Sequence, residues 1–495
     1  MTTAIPRTRK TDRAVIVTVA GQPVTGRIWQ IEPIMPCTAD TSAEADLYRA
    51  RNRGKIAEIA VFQGVPYCLP AVGPRRLKPA VMAPPAAPVD ATRPGPVPPQ
   101  GYSQEGSDLG RGRNDKGTAR GLSAWGALGT REAERGCQNV TISTPDWSPG
   151  ANLPVLCRIH GGGSNYLSNA DDRGSLDRLS GYGLVCANIG YRLGNLGHHY
   201  MPGGEAEPDW AGANLSLSDI RAALEFVASF IAGFGGDPAQ VTLIAGSAGG
   251  NAILTIAANR DFDDLYLRFV ADSASGGTDP RVAFAPVAGQ KTLGEWAADR
   301  QRVILTASGT LRDVQNPLRP LSEAIAEHGY AKAVREHMSL RDFLAVAEGR
   351  FGPSVLTNGQ TFDGYTPTQA LSLTNDGVTV SHESNRAAAR AGAFPAKAAM
   401  IGVATFEASV MGAAALSGNP WFFGTQLHHV ANGLTAHQFA QSAVYETEYD
   451  GSPASPAWAS TDLSRARLPW GAATEPNAMI FNAGYWHAAY CVLRA

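Results

Sequence analysis

The stretch QVTLIAGSAGG, residues 240–250, decides the fold. An apolar strand, 240–246, stops at Ser247, and small residues stand on both sides of that serine. A side chain held at a sharp strand-to-helix turn needs neighbours of this kind, because the backbone there is strained and crowded. Gly246 and Gly249 are read as keeping the turn small. The G-x-S-x-G pattern expected of such a turn is broken at its first position, where Ala245 stands. Taken alone, the string has an ordinary glycine-rich loop as its competing account. Its placement directly after a strand favours a nucleophilic serine with a helix beginning at Ala248, whose N-terminal amides face developing negative charge.

Upstream of this turn, SDIRAALEFVASFIAGF (218–234) predicts a helix. Ile220, Ala223, Leu224, Val227, Phe230, Ile231 and Phe234 recur at three and four residues and form one apolar face. Ser218 and Asp219 suit its N-terminus, and Gly235–Gly236 its end. NVTIST (139–144), PVLCRIH (154–160) and LVCANIGYR (184–192) read as apolar strands, as do FVADSAS (269–275) and AAMIGVA (398–404). Alternating strands and helices imply an α/β chain with a mostly parallel sheet covered on both faces. Residues 14–30 alternate around Gly21 and Gly26 and predict a β-hairpin, and VFQGVPY ends a short strand over 58–67. The Pro-, Gly- and Arg-rich stretch 83–120 is expected to be a long surface loop. Residues 280–395 read as a mainly helical cap or insertion within a single domain spanning 1–495.

A second glycine cluster, His160-Gly161-Gly162-Gly163, directly follows the strand PVLCRI. Three glycines let backbone amides face an open site without side chains in the way. With the amide of Ala248, those of Gly162 and Gly163 would form a three-donor oxyanion hole. Losing one such donor costs roughly 3–4 kcal/mol of transition-state stabilisation. A flexible glycine turn is the competing account, and the pairing of this cluster with the Ser247 turn argues against it.

Composition narrows the classes. The chain has 495 residues, 44% apolar and 17% charged, with a net charge of −2, so it can bury a large core but offers no field to steer nucleic acid or an anionic membrane. The basic cluster Arg7, Arg9, Lys10, Arg13 is short and reads as a solvated arm. No apolar run is long enough to span a bilayer. The first residues, MTTAIPRTRKTDR, lack the apolar core of a signal peptide, and the expected compartment is the cytoplasm. The six cysteines, Cys37, Cys68, Cys137, Cys157, Cys186 and Cys491, form no metal-ligand pattern. His198–His199 and His428–His429 are adjacent pairs, which seldom converge on one ion. No metal and no cofactor is expected.

With these motifs in place, the sequence resembles the type-B carboxylesterases, relatives of the cholinesterases, over most of its length. FQGVPYCLPAVGPRRLKP (62–79) and VDATRPGPVPPQ (89–100) are similar to the family's early segments, and CQNVTISTP (137–145) keeps the spacing of its C-L-x-L-x-V-x-x-P. NIGYRLGNLG (188–197), NLSLSDIRAALEFVASFIAGFGGDPAQVTLIAGSAGG (214–250), ADSASG (271–276, family Q-S-G-S) and TFDGYTP (361–367) continue the match. The resemblance implies the α/β-hydrolase fold and a serine esterase that takes small to medium carboxylic esters through an acyl-enzyme. It also implies an acid at Glu407, because MIGVATFEAS (400–409) is similar to the family's I-L-x-G-x-x-x-D-E-G-S.

Several positions depart from the family. Its Glu before the serine is Gly246 here, which removes a negative charge that would help hold a cationic histidine. Its cysteine before P-Q is Val97, so the early disulfide cannot form in the usual way, in keeping with a reducing compartment. The aromatic residue after the glycine cluster is replaced by Ser164, followed by Asn165 and Tyr166. The family histidine motif G-A-x-H-x-x-E matches GAATEPN (471–477), with Thr474 in the histidine's place. Three assignments of the general base therefore compete. His487 lies 240 residues beyond Ser247 and leads by a small margin. His428 or His429 could swing in from a rearranged loop. In the third, the triad histidine is absent, which describes a non-catalytic binding protein of this fold or a decayed or truncated esterase. The ester's identity and the oligomeric state are not legible in the sequence.

Overall fold

The computed structural model describes residues 8–31, 57–99, 133–162, 167–170, 179–207, 212–272, 293–347, 373–382 and 385–402, with a few single positions besides. Strands β1 (Thr8–Val19) and β2 (Gln22–Ile31) form the N-terminal hairpin. Its two-residue turn, Ala20–Gly21, has positive φ at both positions, 49° and 80°, which matches the twist of the flanking strands. Gly26 lies within β2, not in the turn. A Cβ there would stand 2.5 Å from the Phe62 ring and 2.7 Å from the Val61 carbonyl, so glycine is required by close packing onto the next strand.

The remaining strands are β3 (Ala57–Pro66), the short β4 (Val89–Asp90), β5 (Asn139–Thr144), β6 (Leu153–Ile159), β7 (Val185–Ile189), β8 (Gly236–Gly246), β9 (Arg268–Asp272) and β10 (Ala398–Gly402). Among the described residues they make one sheet in the order β1-β2-β3-β5-β7-β6-β8-β9-β10, with β4 beside β2. Pairing is antiparallel from β1 to β7 and parallel from β7 through β10. The parallel half is the expected α/β core, and its C-terminal strand ends carry the candidate site.

Helix α1 (Leu215–Phe230) runs on through a 3-10 turn, Ile231–Phe234, and ends at Gly235 with φ 86°. The C-terminal signal is where the sequence places it, but the N-terminus lies three residues earlier than expected, with Asn214 as the cap. Asp219 is fully buried inside the helix. It does not cap the helix because its carboxylate is drawn to a buried arginine. Helix α2 (Ala248–Ala257) follows β8. One sheet face, including Val155, Cys157, Ile159, Leu243, Ala245 and Phe269, packs with Ile220, Leu224 and Val227 of α1 and Ile253, Leu254 and Ile256 of α2 into the main core.

Helices α3 (Leu293–Ala307), α4 (Leu321–His328), α5 (Tyr330–Glu336) and α6 (Leu340–Ala347) share a second core. It joins Ile304, Leu321, Val334 and Phe343 to Leu77, Leu196 and Met201. The expected surface loop over 83–120 is corrected only in part over its described residues 83–99, where Ala86–Pro88 are exposed as expected. Ala91 and Val97 are fully buried, the Gln63 amide donates to Ala91 O at 2.7 Å, and the Ala133 amide to Val97 O at 3.0 Å. Its prolines preclude a regular ladder but leave carbonyls that neighbouring strands and turns use.

Candidate functional site

Ser247 occupies the turn between β8 and α2 with φ 57° and ψ −128°. A residue with a Cβ held in this region stores roughly 1–3 kcal/mol of strain. Two backbone bonds hold it there. The Ser247 amide donates to Asp272 O at the end of β9 (2.9 Å), and Ser247 O accepts the Asn251 amide as the first bond of α2 (3.0 Å). Ala248 is the first helical residue, so its amide has no partner within the helix.

The glycine cluster meets this turn. A Cβ on Gly161 would lie 2.7 Å from Gly246 O and 3.2 Å from Ser247 Cβ, so the two backbones touch. Gly162 is buried with φ 95°, a conformation that glycine adopts without strain. Gly249 is required by the same approach from the other side, since a Cβ there would stand 2.4 Å from Ile159 O and 2.8 Å from His160 O. Gly246 is different. Its Cβ would meet nothing closer than Asp272 O at 3.8 Å. The expectation that Gly246 keeps the turn small is therefore corrected, because the crowding falls on Gly161 and Gly249. Ala245, where the motif has glycine, is buried in register between Ile159 and Ala271.

His160 anchors the cluster. Its ring stacks on Tyr191 with centroids 4.3 Å apart, and its Nδ1 lies 3.0 Å from Gly161 O. Burial pushes the imidazole down to about 3, so it is neutral and unsuited to carry a proton at neutral pH. The Tyr191 hydroxyl donates to His160 O at 2.5 Å, and burial raises that phenol above its ordinary range. Ser164, with φ 60°, is buried, and its carbonyl accepts the Gly194 amide at 2.8 Å. This bond ties the cluster to the one-turn helix Gly194–Gly197 and to the buried His198 and His199 after it. Among the described residues the ring nitrogens of His198 and His199 have no hydrogen-bond partner. Burial pushes His198 down to about 3 and His199 well below the usual imidazole range. No metal-binding group of His, Cys, Asp and Glu occurs among the described residues.

Sequence reasoning missed the polar frame beneath the site. Arg192 and Asp219 form a fully buried ion pair, with Arg192 Nε to Oδ2 at 2.9 Å and Nη2 to Oδ1 at 2.8 Å. Asp219 also accepts from the Arg192 amide (2.8 Å) and from Gln138 Nε2 (2.7 Å). The pair joins the end of β7 to α1 and to the start of β5. Asp376 accepts the backbone amides of Ala213, Val378, Thr379 and Val380, and fixes segment 373–380 against the start of α1. The proposed partners Gly163, Glu407 and His487, and the alternatives His428, His429 and Thr474, lie outside the described residues.

A family model described as the carboxylesterase family matches residues 48–305, just over half of the chain. Over 235 residues the chain is 32% identical to a phenmedipham hydrolase of Pseudarthrobacter oxydans, covering 47% of this chain and 43% of that one. Over 222 residues it is 32% identical to a para-nitrobenzyl esterase of Bacillus subtilis, covering 44% and 40%. The chain thus spans less than half the length of these curated relatives. Among solved structures, a PNB esterase superposes with a TM-score of 0.58 at 20% identity, over 96% of this chain and 76% of that one, a likeness of fold. By family match and by its sheet, the chain belongs to the carboxylesterase family and has the α/β-hydrolase fold.

Proposed function

We propose that the chain is a serine carboxylic-ester hydrolase acting on small to medium esters. The observation that carries this reading is the strained Ser247 at the head of α2, with the Gly161 backbone closed against it. Ser247 Oγ attacks the ester carbonyl. The amides of Gly162, Gly163 and Ala248 receive the oxyanion, where preorganised donors act without reorganising. His487, oriented by Glu407, takes the serine proton and returns it to the leaving alkoxide, and water then releases the acyl group. No cofactor enters these steps. The printed names of the two relatives, a hydrolase and an esterase, support the reaction class. A reducing, cytoplasmic setting belongs to the same proposal, supported by Cys137 as a buried free thiol and by Val97 in place of a second cysteine.

A fluorophosphonate probe is expected to label wild-type protein at Ser247 and to leave Ser247→Ala unlabelled, with turnover of p-nitrophenyl acetate lost in the variant. A folded wild-type protein that neither takes the probe nor hydrolyses the ester would overturn the esterase reading and leave a binding role for this fold. Within the esterase reading, His487→Ala tests the base. It should abolish turnover, whereas His428→Ala and His429→Ala should not.

A further inference from the structure

We infer that Asn195 is a positioning residue of this site: held by Arg300 of helix α3, it fixes the one-turn helix whose Gly194 amide sets the glycine cluster against Ser247. The inference rests on the esterase reading above. It begins at a strained residue. Ser164, just after the cluster, is buried with φ 60°. A residue with a Cβ stays in that left-handed region only where its surroundings hold it. Here its carbonyl accepts the Gly194 amide at 2.8 Å. Gly194 opens the helix Gly194–Gly197, so its amide has no acceptor within that helix and is available to Ser164.

A helix of one turn is too short to hold its own place. Its near end is tied down by the Arg192 amide, which donates to Asp219 at 2.8 Å. Its other hold comes from the cap. Asn195 is buried, and its Oδ1 accepts Arg300 Nη1 at 2.5 Å. Helix α3 lies along the same segment around this bond. Ala297, Arg300, Ile304 and Ala307 are all buried, and they recur at three and four residues on one helix face. Ala297 clusters with Tyr200 and Ala213, and Ile304 and Ala307 share a core with Leu196 and Met201.

A continuous series of contacts therefore runs from Arg300 to Asn195, along the short helix to Gly194, and through Ser164 O to the cluster whose Gly161 backbone meets the Ser247 turn. Gly162, two residues before Ser164, is placed as an oxyanion donor, and such donors act by being preorganised. With Asn195 released, Ser164 relaxes out of its strained conformation and carries Gly162 with it. The ground-state ester needs no such alignment, so the loss falls on the transition state. Contiguity becomes coupling only if both ends respond together, and that response is what the variants measure.

The test is made at Asn195 in the full-length chain, because Arg300 has a further interaction of its own. Asn195→Leu keeps the size and removes the acceptor. It should lower kcat/KM for p-nitrophenyl acetate about tenfold. It should weaken by the same factor the binding of a trifluoromethyl ketone, whose carbonyl oxygen becomes an oxyanion when Ser247 Oγ adds to it. The secondary alcohol of the same carbon skeleton forms no oxyanion, and its inhibition constant should be unchanged. Asn195→Asp restores the acceptor and should recover most of both losses. Should Asn195→Leu not fold, Arg300→Lys reads the same quantities: lysine keeps the charge but shortens the reach to Asn195 Oδ1, and the same split between ketone and alcohol is expected. A folded variant with turnover and ketone binding at the wild-type level, an equal loss of ketone and alcohol binding, or no recovery in Asn195→Asp would overturn the inference while Ser247 labelling and wild-type turnover stand. Failure of wild-type labelling and turnover would instead remove the esterase reading, and this inference with it.

Discussion

Replacing Gly249 by alanine should disable the site while leaving the fold nearly as stable. The added Cβ would stand 2.4 Å from Ile159 O and 2.8 Å from His160 O, and both atoms belong to the backbone at the end of β6. Ordinary contact begins near 3.4 Å, so the first turn of α2 must retreat from β6 by about 1 Å to relieve the overlap. That turn carries Ser247 and the Ala248 amide, and β6 leads into the glycine cluster. The retreat therefore opens the gap between nucleophile and oxyanion donors, and a misplacement of about 1 Å costs about 100-fold in rate. The stability cost should be smaller. Overpacking of this kind costs about 1–3 kcal/mol, and alanine recovers up to about 1 kcal/mol over glycine inside a helix. Gly246→Ala is the control, because its Cβ has 3.8 Å of clearance, and it should keep turnover within about twofold. The assay is kcat for p-nitrophenyl acetate and the rate of fluorophosphonate labelling, with urea midpoints for both variants. Wild-type turnover in Gly249→Ala, or an equal loss in Gly246→Ala, would refute the assignment of crowding to Gly249.

Three further outcomes follow from the buried polar groups. His160, His198 and His199 are held neutral by burial, whereas in the unfolded chain they take up protons below about pH 6.5. Their contribution is complete above that pH and is lost as pH falls towards 3, at up to about 1.4 kcal/mol per pH unit for each histidine. Urea midpoints that stay constant from about pH 7 to about pH 4.5 would contradict this. Asp219→Ala strands the buried Arg192 guanidinium and should cost about 3–5 kcal/mol, read as a lowered urea midpoint, and a change under 1 kcal/mol would count against the burial of that pair. Tyr191→Phe removes the donor to His160 O. It should cost about 1–3 kcal/mol and slow Ser247 labelling, because that carbonyl anchors the glycine cluster; an unchanged labelling rate would separate the anchor from the site.

The sequence by itself determined the elements and the local chemistry. The α1 periodicity, the alternating hairpin, the strand-turn-helix around Ser247 and the glycine cluster after β6 are all written in nearest-neighbour pattern, because side-chain period and turn chemistry are local. It determined less well what each charged residue is for. Asp219 next to Ser218 reads as a helix start, and only the folded chain shows that its carboxylate is taken by Arg192, twenty-seven residues away. Likewise Asp376 closes its own turn through the amides of Val378, Thr379 and Val380, a local pattern, but only the folded chain shows that its other oxygen takes the Ala213 amide at the start of α1. The Pro-rich stretch 83–99 looks exposed by composition, yet Pro85, Ala91 and Val97–Pro99 are buried within it. At the turn, composition names several small residues around Ser247 without ranking them. Only the approach of β6 decides that Gly161 and Gly249 must be glycine and that Gly246 need not be, because close contact between backbones is a property of strand neighbours, and sequence distance does not encode which strands become neighbours.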